Sequence, residues 1–192
     1  VIKNLAETLL SSVLLGVGQF CTKPGLIFVP ETSKTEKFLT IFDDLIQKKE
    51  NGILLNSNIL ENIENDLSNL ENSVDISPAI GGERSENSCT FKNTYFIVSS
   101  NLYMKYSEEF QNEIFGPVCV IVKYSGVREI LSIVDQLKGQ LTGSIFFNVS
   151  KPNDEIERIL TLREMLQYKV GRIIFNRSEE HTSELQSLLI IS

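Results

Sequence analysis

The residues best suited to chemistry lie in one short segment near the start of the chain. The segment Gly16-Val-Gly-Gln-Phe-Cys-Thr-Lys-Pro-Gly25 places Cys21 among glycines and a proline. These residues favour an irregular backbone, so we predict a loop that presents the thiol to a cleft and leaves the Cys21 N–H free for a developing oxyanion. An exposed thiolate can attack a carbonyl carbon. The competing interpretation of a lone cysteine is a small buried hydrophobe.

The other residues that could take part in chemistry are interpreted as serving the fold. Gln19 could contact a substrate, but we interpret it as positioning its own loop. Cys89 and Cys119 are interpreted as structural, and Asp43-Asp44 as the exposed face of a helix. With three cysteines, no Cys-x-x-Cys spacing and a single histidine, the sequence predicts no metal site and no disulfide framework, and therefore a cytoplasmic location.

The elements that must position Cys21 follow from the hydrophobic periodicity. Apolar residues at helical spacing predict helices over residues 5–15, 33–52, 59–70 and 129–137, and a further helix opening at Pro152. Ser33-Lys-Thr-Glu36 is a capping-box pattern at the start of the second of these helices. Buried runs predict strands at 25–29, 94–99, 118–124, 143–149 and 170–175. This alternation predicts an α/β fold with a mainly parallel sheet flanked by helices on both faces.

Composition narrows the functional classes. The chain has 192 residues, 42% of them hydrophobic, which is enough for one globular domain with a sizeable core. Its 25 acidic against 18 basic residues give a formal charge of -7, so we expect neither a nucleic-acid binder nor a binder of anionic membranes. The apolar stretch 5–18 is interrupted by polar residues and is too short to span a bilayer.

Three segments together resemble the aldehyde dehydrogenase superfamily. Gly18-Gln-Phe-Cys-Thr-Lys-Pro24 resembles its nucleophile motif, and Asn112-Glu-Ile-Phe-Gly-Pro-Val118 resembles its second signature, usually written E-E-I-F-G-P. Here Asn112 stands in place of the first glutamate. Gly171-Arg-Ile-Ile-Phe-Asn176 resembles the strand that closes the catalytic domain. The resemblance covers residues 1–176. Cys-Thr-Lys-Pro-Gly and the segment 137–143 are most similar to the α-ketoglutaric semialdehyde and fatty-aldehyde dehydrogenase branch.

The resemblance implies a role for three residues. Cys21 would attack an aldehyde, such as 2,5-dioxovalerate or another semialdehyde, and NAD or NADP would accept the hydride before water releases the acid from a thioester. Glu113 would bind the nicotinamide ribose hydroxyls, because a carboxylate accepts two hydrogen bonds at once. Phe115 would pack near the nicotinamide ring. Without the resemblance, Glu113 would be interpreted as a solvated glutamate and Phe115 as a core residue.

The resemblance also implies that parts of the family's machinery are missing. Its general base, its asparagine oxyanion donor and its cofactor domain lie upstream of the nucleophile, and its oligomerisation strands follow the segment ending at Asn176. We therefore expect residues 1–176 to be an incomplete catalytic domain and the chain as written to be inactive and poorly soluble. The parent enzyme is expected to be a homo-oligomer that oxidises a small-molecule aldehyde.

Residues 177–192 are predicted to be a non-native tail. The run Arg-Ser-Glu-Glu-His-Thr-Ser-Glu-Leu-Gln-Ser, residues 177–187, matches the in-frame translation of a common sequencing adapter. A segment of this origin says nothing about the fold of the protein, so it is left out of the predicted elements. The only histidine, His181, lies in this run, so we build no histidine mechanism on it.

Two other functions remain open at this stage. One is a cofactor-independent cysteine acyltransferase or hydrolase, which would need a base beside the Cys21 thiol. The other is a non-catalytic α/β interaction domain in which Cys21 is inert.

Overall fold

The computed structural model describes residues 2–85, 89–148, 153–178 and 188–191, and helices alternate with strands along these residues. The helices are α1 (Ile2–Val13), α2 (Ser33–Lys48), α3 (Ser57–Val74), α4 (Ser100–Lys105), α5 (Ser107–Phe110), α6 (Val127–Gln136) and α7 (Asn153–Leu166). The strands are β1 (Leu26–Pro30), β2 (Thr94–Ser99), β3 (Val118–Tyr124), β4 (Gln140–Asn148), β5 (Val170–Ser178) and β6 (Leu188–Ile191).

The strands form one sheet in the order β2-β3-β1-β6-β4-β5. The pairs β2–β3, β1–β3 and β4–β5 are parallel, which confirms the predicted mainly parallel α/β sheet. The exception is β6, which lies antiparallel between β1 and β4 and places Ile191 opposite Leu26. This strand belongs to the segment 177–192, and the first two residues of that segment continue β5.

Helices cover both faces of the sheet, as predicted. Residues of α1 and α2 form one apolar cluster with Ile27 and Val29 of β1, whereas α3 to α7 pack on the other face with Leu26 and Phe28. This division follows from the pleat, because successive side chains of a strand point to opposite faces. Phe28 and Ile27 are both fully buried, so β1 lies in the centre of the core.

Several boundaries differ from the predicted ones. The cap of α2 is Thr32, whose Oγ1 accepts the Thr35 N–H at 3.2 Å, so the capping box assigned to Ser33 was wrong by one residue. Thr32 has the extended backbone that a cap requires, whereas Ser33 is already helical. The same helix ends at Lys48 and not at Gly52, because Lys49 is extended. The predicted helix start at Pro152 lies outside the described residues, and α4 and α5 are too short to show a periodic pattern.

Among the described residues, every helix is too short or too polar to cross a bilayer.

Candidate functional site

Two loops meet at one edge of the sheet. The cysteine loop (residues 16–25) leads into β1, and the glutamate loop (residues 111–117) leads into β3. Because β1 and β3 are parallel neighbours with Leu26 opposite Val120, the loops that precede them arrive at the same edge. The sheet topology therefore brings Cys21 near Glu113, although 92 positions of sequence separate them (113 − 21).

The cysteine loop begins with a left-handed reversal of the chain. Gly16, Val17 and Gly18 have φ of 57°, 60° and 68°. This conformation is easy for glycine but strained for a β-branched residue, which makes Val17 an outlier. Strained residues of this kind persist only where the surrounding structure holds them, and they concentrate at functional sites.

Cys21 lies at the second position of a tight turn. The Phe20 carbonyl accepts a hydrogen bond from the Lys23 N–H at 3.0 Å, which closes the turn around Cys21 and Thr22. The Cys21 side chain is exposed. Within the part of the chain that the structure describes, its backbone N–H has no hydrogen-bond partner. The loop thus has the predicted irregular conformation, with both the thiol and this N–H accessible.

A cleft of about 250 Å³ is lined by residues of both loops. Cys21 and Glu113 are among its lining residues, so the structure brings these two predicted site residues together. Phe115 is 38% exposed and lies on the same glutamate loop, but it does not line this cleft. The cleft therefore offers a thiol and a carboxylate to one small molecule.

Lys23 connects the two loops. Its side chain is buried, and its Nζ donates hydrogen bonds to the carbonyl oxygens of Ile114 and Val118, both at 2.8 Å. Burial lowers the pKa of this ammonium group, and the nearby Cys119 and Glu113 partly oppose that shift. The sequence alone indicated no role for Lys23. The only signal was a lysine that directly precedes Pro-Gly and a fully apolar strand.

The loops also touch through their backbones. A Cβ atom on Gly18 would lie 2.0 Å from the carbonyl oxygen of Gly116 and 2.8 Å from the nitrogen of Pro117. Only glycine fits at position 18, because the obstructing atoms are backbone and the φ is left-handed.

Gln19 holds the cysteine loop in its conformation. Its Nε2 donates to the Gly16 carbonyl at 2.9 Å, and its Oε1 accepts the Leu55 N–H at 3.0 Å. Next to this contact, a Cβ atom on Gly52 would come within 2.4 Å of a methyl group of Val17. These contacts agree with the structural interpretation of Gln19 and show that the segment 52–55 supports the loop from outside.

The remaining candidates lie away from this cleft or are buried. Cys89 is half-buried, with its Sγ 3.6 Å from the Leu54 carbonyl oxygen, whereas Cys119 is 1% exposed and burial raises the pKa of its thiol to about 12. Asp43 is half-buried and accepts a hydrogen bond from the Tyr95 hydroxyl, so its interpretation as an exposed residue was wrong. No group of His, Cys, Asp or Glu residues among those described is arranged to hold a metal ion.

The comparisons with known proteins point to one family. A family model described as "Aldehyde dehydrogenase family" matches residues 2–187. The chain is 27% identical over 172 residues to alpha-ketoglutaric semialdehyde dehydrogenase 2 of Azospirillum brasilense, covering 90% of this chain and 32% of that protein. It is 28% identical over 197 residues to the alpha-ketoglutaric semialdehyde dehydrogenase of Bacillus subtilis, covering 95% of this chain and 37% of that protein. The chain thus spans about a third of the length of these curated relatives.

Solved structures share the fold. A 3,6-anhydro-L-galactose dehydrogenase in complex with NAP superimposes with a TM-score of 0.70 at 19% identity, over 97% of this chain and 40% of that one. A 1-pyrroline-5-carboxylate dehydrogenase from Thermus with bound NAD superimposes with the same TM-score and identity, over 96% of this chain and 35% of that one. The described sheet and its flanking helices therefore correspond to part of a larger known fold.

Proposed function

Because this chain belongs to the aldehyde dehydrogenase family, a family of NAD(P)-dependent oxidoreductases, we propose that it is part of the catalytic domain of an enzyme that oxidises an aldehyde to a carboxylic acid. The observation that carries this proposal is the shared cleft of Cys21 and Glu113. Two residues from separate motifs, whose combination the family's chemistry requires, line the same space.

Cys21 is the proposed nucleophile. Its thiolate sulfur adds to the aldehyde carbon, and the unpartnered Cys21 N–H donates to the oxygen that becomes negative. The carbon then loses a hydride, which carries two electrons, and the product on sulfur is a thioester. Water adds to the thioester carbon, the acid leaves, and the thiol is restored. The exposure of Cys21 in a tight turn supports this role.

Glu113 is the proposed ligand of the nicotinamide ribose, and Phe115 the proposed packing partner of the nicotinamide ring. The bound cofactor supplies a hydride acceptor. The residues present fit the nicotinamide end of that cofactor, because a carboxylate that can accept two hydrogen bonds lines the cleft of the thiol. Phe115 is exposed on the loop that carries Glu113, which leaves its ring free to meet a ligand entering beside the cleft.

The proposed substrate is 2,5-dioxovalerate, which is α-ketoglutaric semialdehyde, or a related semialdehyde. Two relatives of this name, each matched over at least 90% of this chain, support that choice over other aldehydes. The proposed cofactor is NAD or NADP, since neighbours of the same fold carry one or the other.

We further propose that the 192-residue chain has no dehydrogenase activity by itself. The match to only about a third of the length of relatives supports this, because nucleophile, base and cofactor site act as a unit. The whole protein is proposed to be a cytoplasmic homo-oligomer, and residues 177–192 are proposed to be foreign to it. The cysteine acyltransferase or hydrolase alternative needs a base beside the thiol, and the only histidine of the sequence, His181, belongs to the segment proposed to be foreign.

The experiment is an assay of the full-length protein, expressed from the complete reading frame that encodes residues 1–176. We expect 2,5-dioxovalerate to drive NADH or NADPH formation, and Cys21→Ala to reduce the rate by at least about 10⁴-fold. Cys89→Ala is the matched control, because it removes a half-buried thiol away from the cleft. Full activity in Cys21→Ala, or no aldehyde oxidation by the unaltered protein with any semialdehyde, contradicts the proposal.

A further inference from the structure

We propose that Lys23 is a positioning residue that fixes the cysteine loop against the glutamate loop and so sets the distance between Cys21 and Glu113. Its contacts stand independently of function, whereas its effect on catalysis rests on the function proposed above. Lys23 is assigned no chemical step of its own, because its Nζ donates to two backbone carbonyl oxygens.

Cys21 lies between two points at which the loops are joined. On its amino-terminal side, Gly18 packs against the Gly116–Pro117 backbone. On its carboxyl-terminal side, Lys23 donates to Ile114 and Val118 at 2.8 Å. The accepting carbonyls lie one and five residues beyond Glu113. The ammonium group of Lys23 therefore binds the chain next to Glu113 and again at the first residue of β3.

Burying a lysine side chain at this position is unfavourable in free energy. Its side chain is 5% exposed, and an ammonium group loses its hydration when it is buried. The hydrogen bonds that offset this loss are of the charged kind, which are about twice as strong as neutral ones. An apolar side chain would fill the same volume without the desolvation cost, but it would join nothing to Ile114 or Val118. The observed residue is therefore explained by the link and not by packing.

The hydrogen bonds of Lys23 matter for the proposed reaction because the carbon bound to the sulfur and the hydride acceptor must lie at the correct distance and orientation. One loop carries the thiol, and the other carries Glu113, which would hold the cofactor's ribose. A shift of about 1 Å between two reacting groups can cost about 100-fold in rate. Without the Lys23 hydrogen bonds, the join on the carboxyl-terminal side of Cys21 to Ile114 would be lost, and Glu113 could shift relative to the thiol.

The test compares Lys23→Met with Lys123→Met in the full-length protein. Lys123 lies near the opposite end of β3, where its Nζ donates to a carboxylate oxygen of Glu36 at 3.2 Å. We expect Lys23→Met to speed amide hydrogen exchange in residues 111–118 by at least about tenfold, and Lys123→Met to leave it unchanged. In the enzyme assay, Lys23→Met should raise KM for NAD(P) by more than about fivefold while KM for the aldehyde changes less.

The outcomes distinguish a failure of the proposed role of Lys23 from a failure of the proposed function. Faster exchange at 111–118 in a protein that shows no aldehyde oxidation upholds the link and overturns the proposed function. An active enzyme in which Lys23→Met alters neither the exchange nor the ratio of the two KM values overturns the link. If Lys23→Met does not fold, Lys23→Gln, which keeps an N–H donor, is measured in its place. It should shift exchange and KM ratio in the same direction by a smaller factor, and no shift overturns the link.

Discussion

Gly18 lies so close to Gly116 that a Cβ atom at position 18 would come within 2.0 Å of the Gly116 carbonyl oxygen. This contact joins the loop that carries the exposed thiol to the loop that carries Glu113, and both loops enter neighbouring parallel strands. This backbone contact therefore holds the two loops together on the amino-terminal side of Cys21, as the Lys23 hydrogen bonds do on its carboxyl-terminal side.

Substituting Gly18 by alanine tests this contact. The new methyl group meets backbone atoms that cannot move aside, and the left-handed φ of 68° adds strain for any residue with a Cβ. We expect the free energy of unfolding to fall by at least about 2 kcal/mol. Urea denaturation measures the change.

Gly139→Ala is the matched control for that substitution. Among the described residues other than its chain neighbours, no heavy atom lies within 4 Å of a Cβ atom at position 139, so the change in unfolding free energy should stay within about 0.5 kcal/mol. Equal effects of the two substitutions would contradict the close packing of Gly18 against Gly116.

The three cysteines should differ sharply in their reaction with iodoacetamide in the native full-length protein. Cys21 is exposed in a turn, Cys89 is half-buried, and Cys119 is buried in β3 with its pKa raised to about 12. We expect Cys21 to react at least about 100-fold faster than Cys89, and Cys119 to react only on unfolding. Mass spectrometry of the labelled peptides gives the rates. Equal rates at Cys21 and Cys89 would favour the interaction-domain alternative.

Cys119 should make the protein less stable in alkali. Burial raises the pKa of its thiol from 9.0 to about 12, so its contribution to stability is complete below pH 9 and is lost as the pH rises toward 12. Over that range the free energy of unfolding should fall by up to about 1.4 kcal/mol per pH unit from this group. Cys119→Ala should make the slope shallower between pH 9 and 10.5. Because Cys119 and Lys23 interact electrostatically, the change of slope reports the removal of the thiol together with its effect on Lys23.

Cys89→Ala is the control for removing a thiol, because Cys89 is half-buried, with its Sγ 3.6 Å from the Leu54 carbonyl oxygen. The change of slope on Cys119→Ala should exceed any change on Cys89→Ala. A Cys119→Ala protein with the original slope would show that Cys119 is not the titrating group.

The proposed foreign origin of residues 177–192 is checked at the level of the gene. Resequencing the locus in genomic DNA should give codons after Asn176 that do not encode Arg-Ser-Glu-Glu-His-Thr-Ser-Glu-Leu-Gln-Ser. Genomic codons for this run would contradict the proposal. In that case β6, which lies between β1 and β4, would be a native strand.

Local pattern predicted much of the fold. The bounds of β2 and β3 agree with the predicted strands because both segments are rich in β-branched and aromatic residues. The family resemblance then predicted that Cys21 and Glu113 act together, and the structure places both on one cleft. Phe115, predicted for the same site, lies outside the lining of this cleft.

What the sequence could not predict depends on contacts between distant segments. The role of Lys23 rests on two carbonyl groups more than 90 positions away, and backbone carbonyls leave no trace in a sequence. Likewise, nothing in Gly-Val-Gly indicates that Gly18 meets Gly116, since glycine serves turns and close approaches alike. The cap of α2 was misplaced because Thr32 and Ser33 are both suitable capping residues and only the backbone angles distinguish them.

The central claim, that Cys21 forms a covalent intermediate during aldehyde oxidation, is tested most directly by rapid-quench mass spectrometry of the full-length protein. After mixing with 2,5-dioxovalerate and NAD or NADP, we predict an acyl adduct on the peptide that contains Cys21, formed only when aldehyde and cofactor are both present. Turnover without any adduct on Cys21, or an adduct on Cys89 instead, would contradict the account.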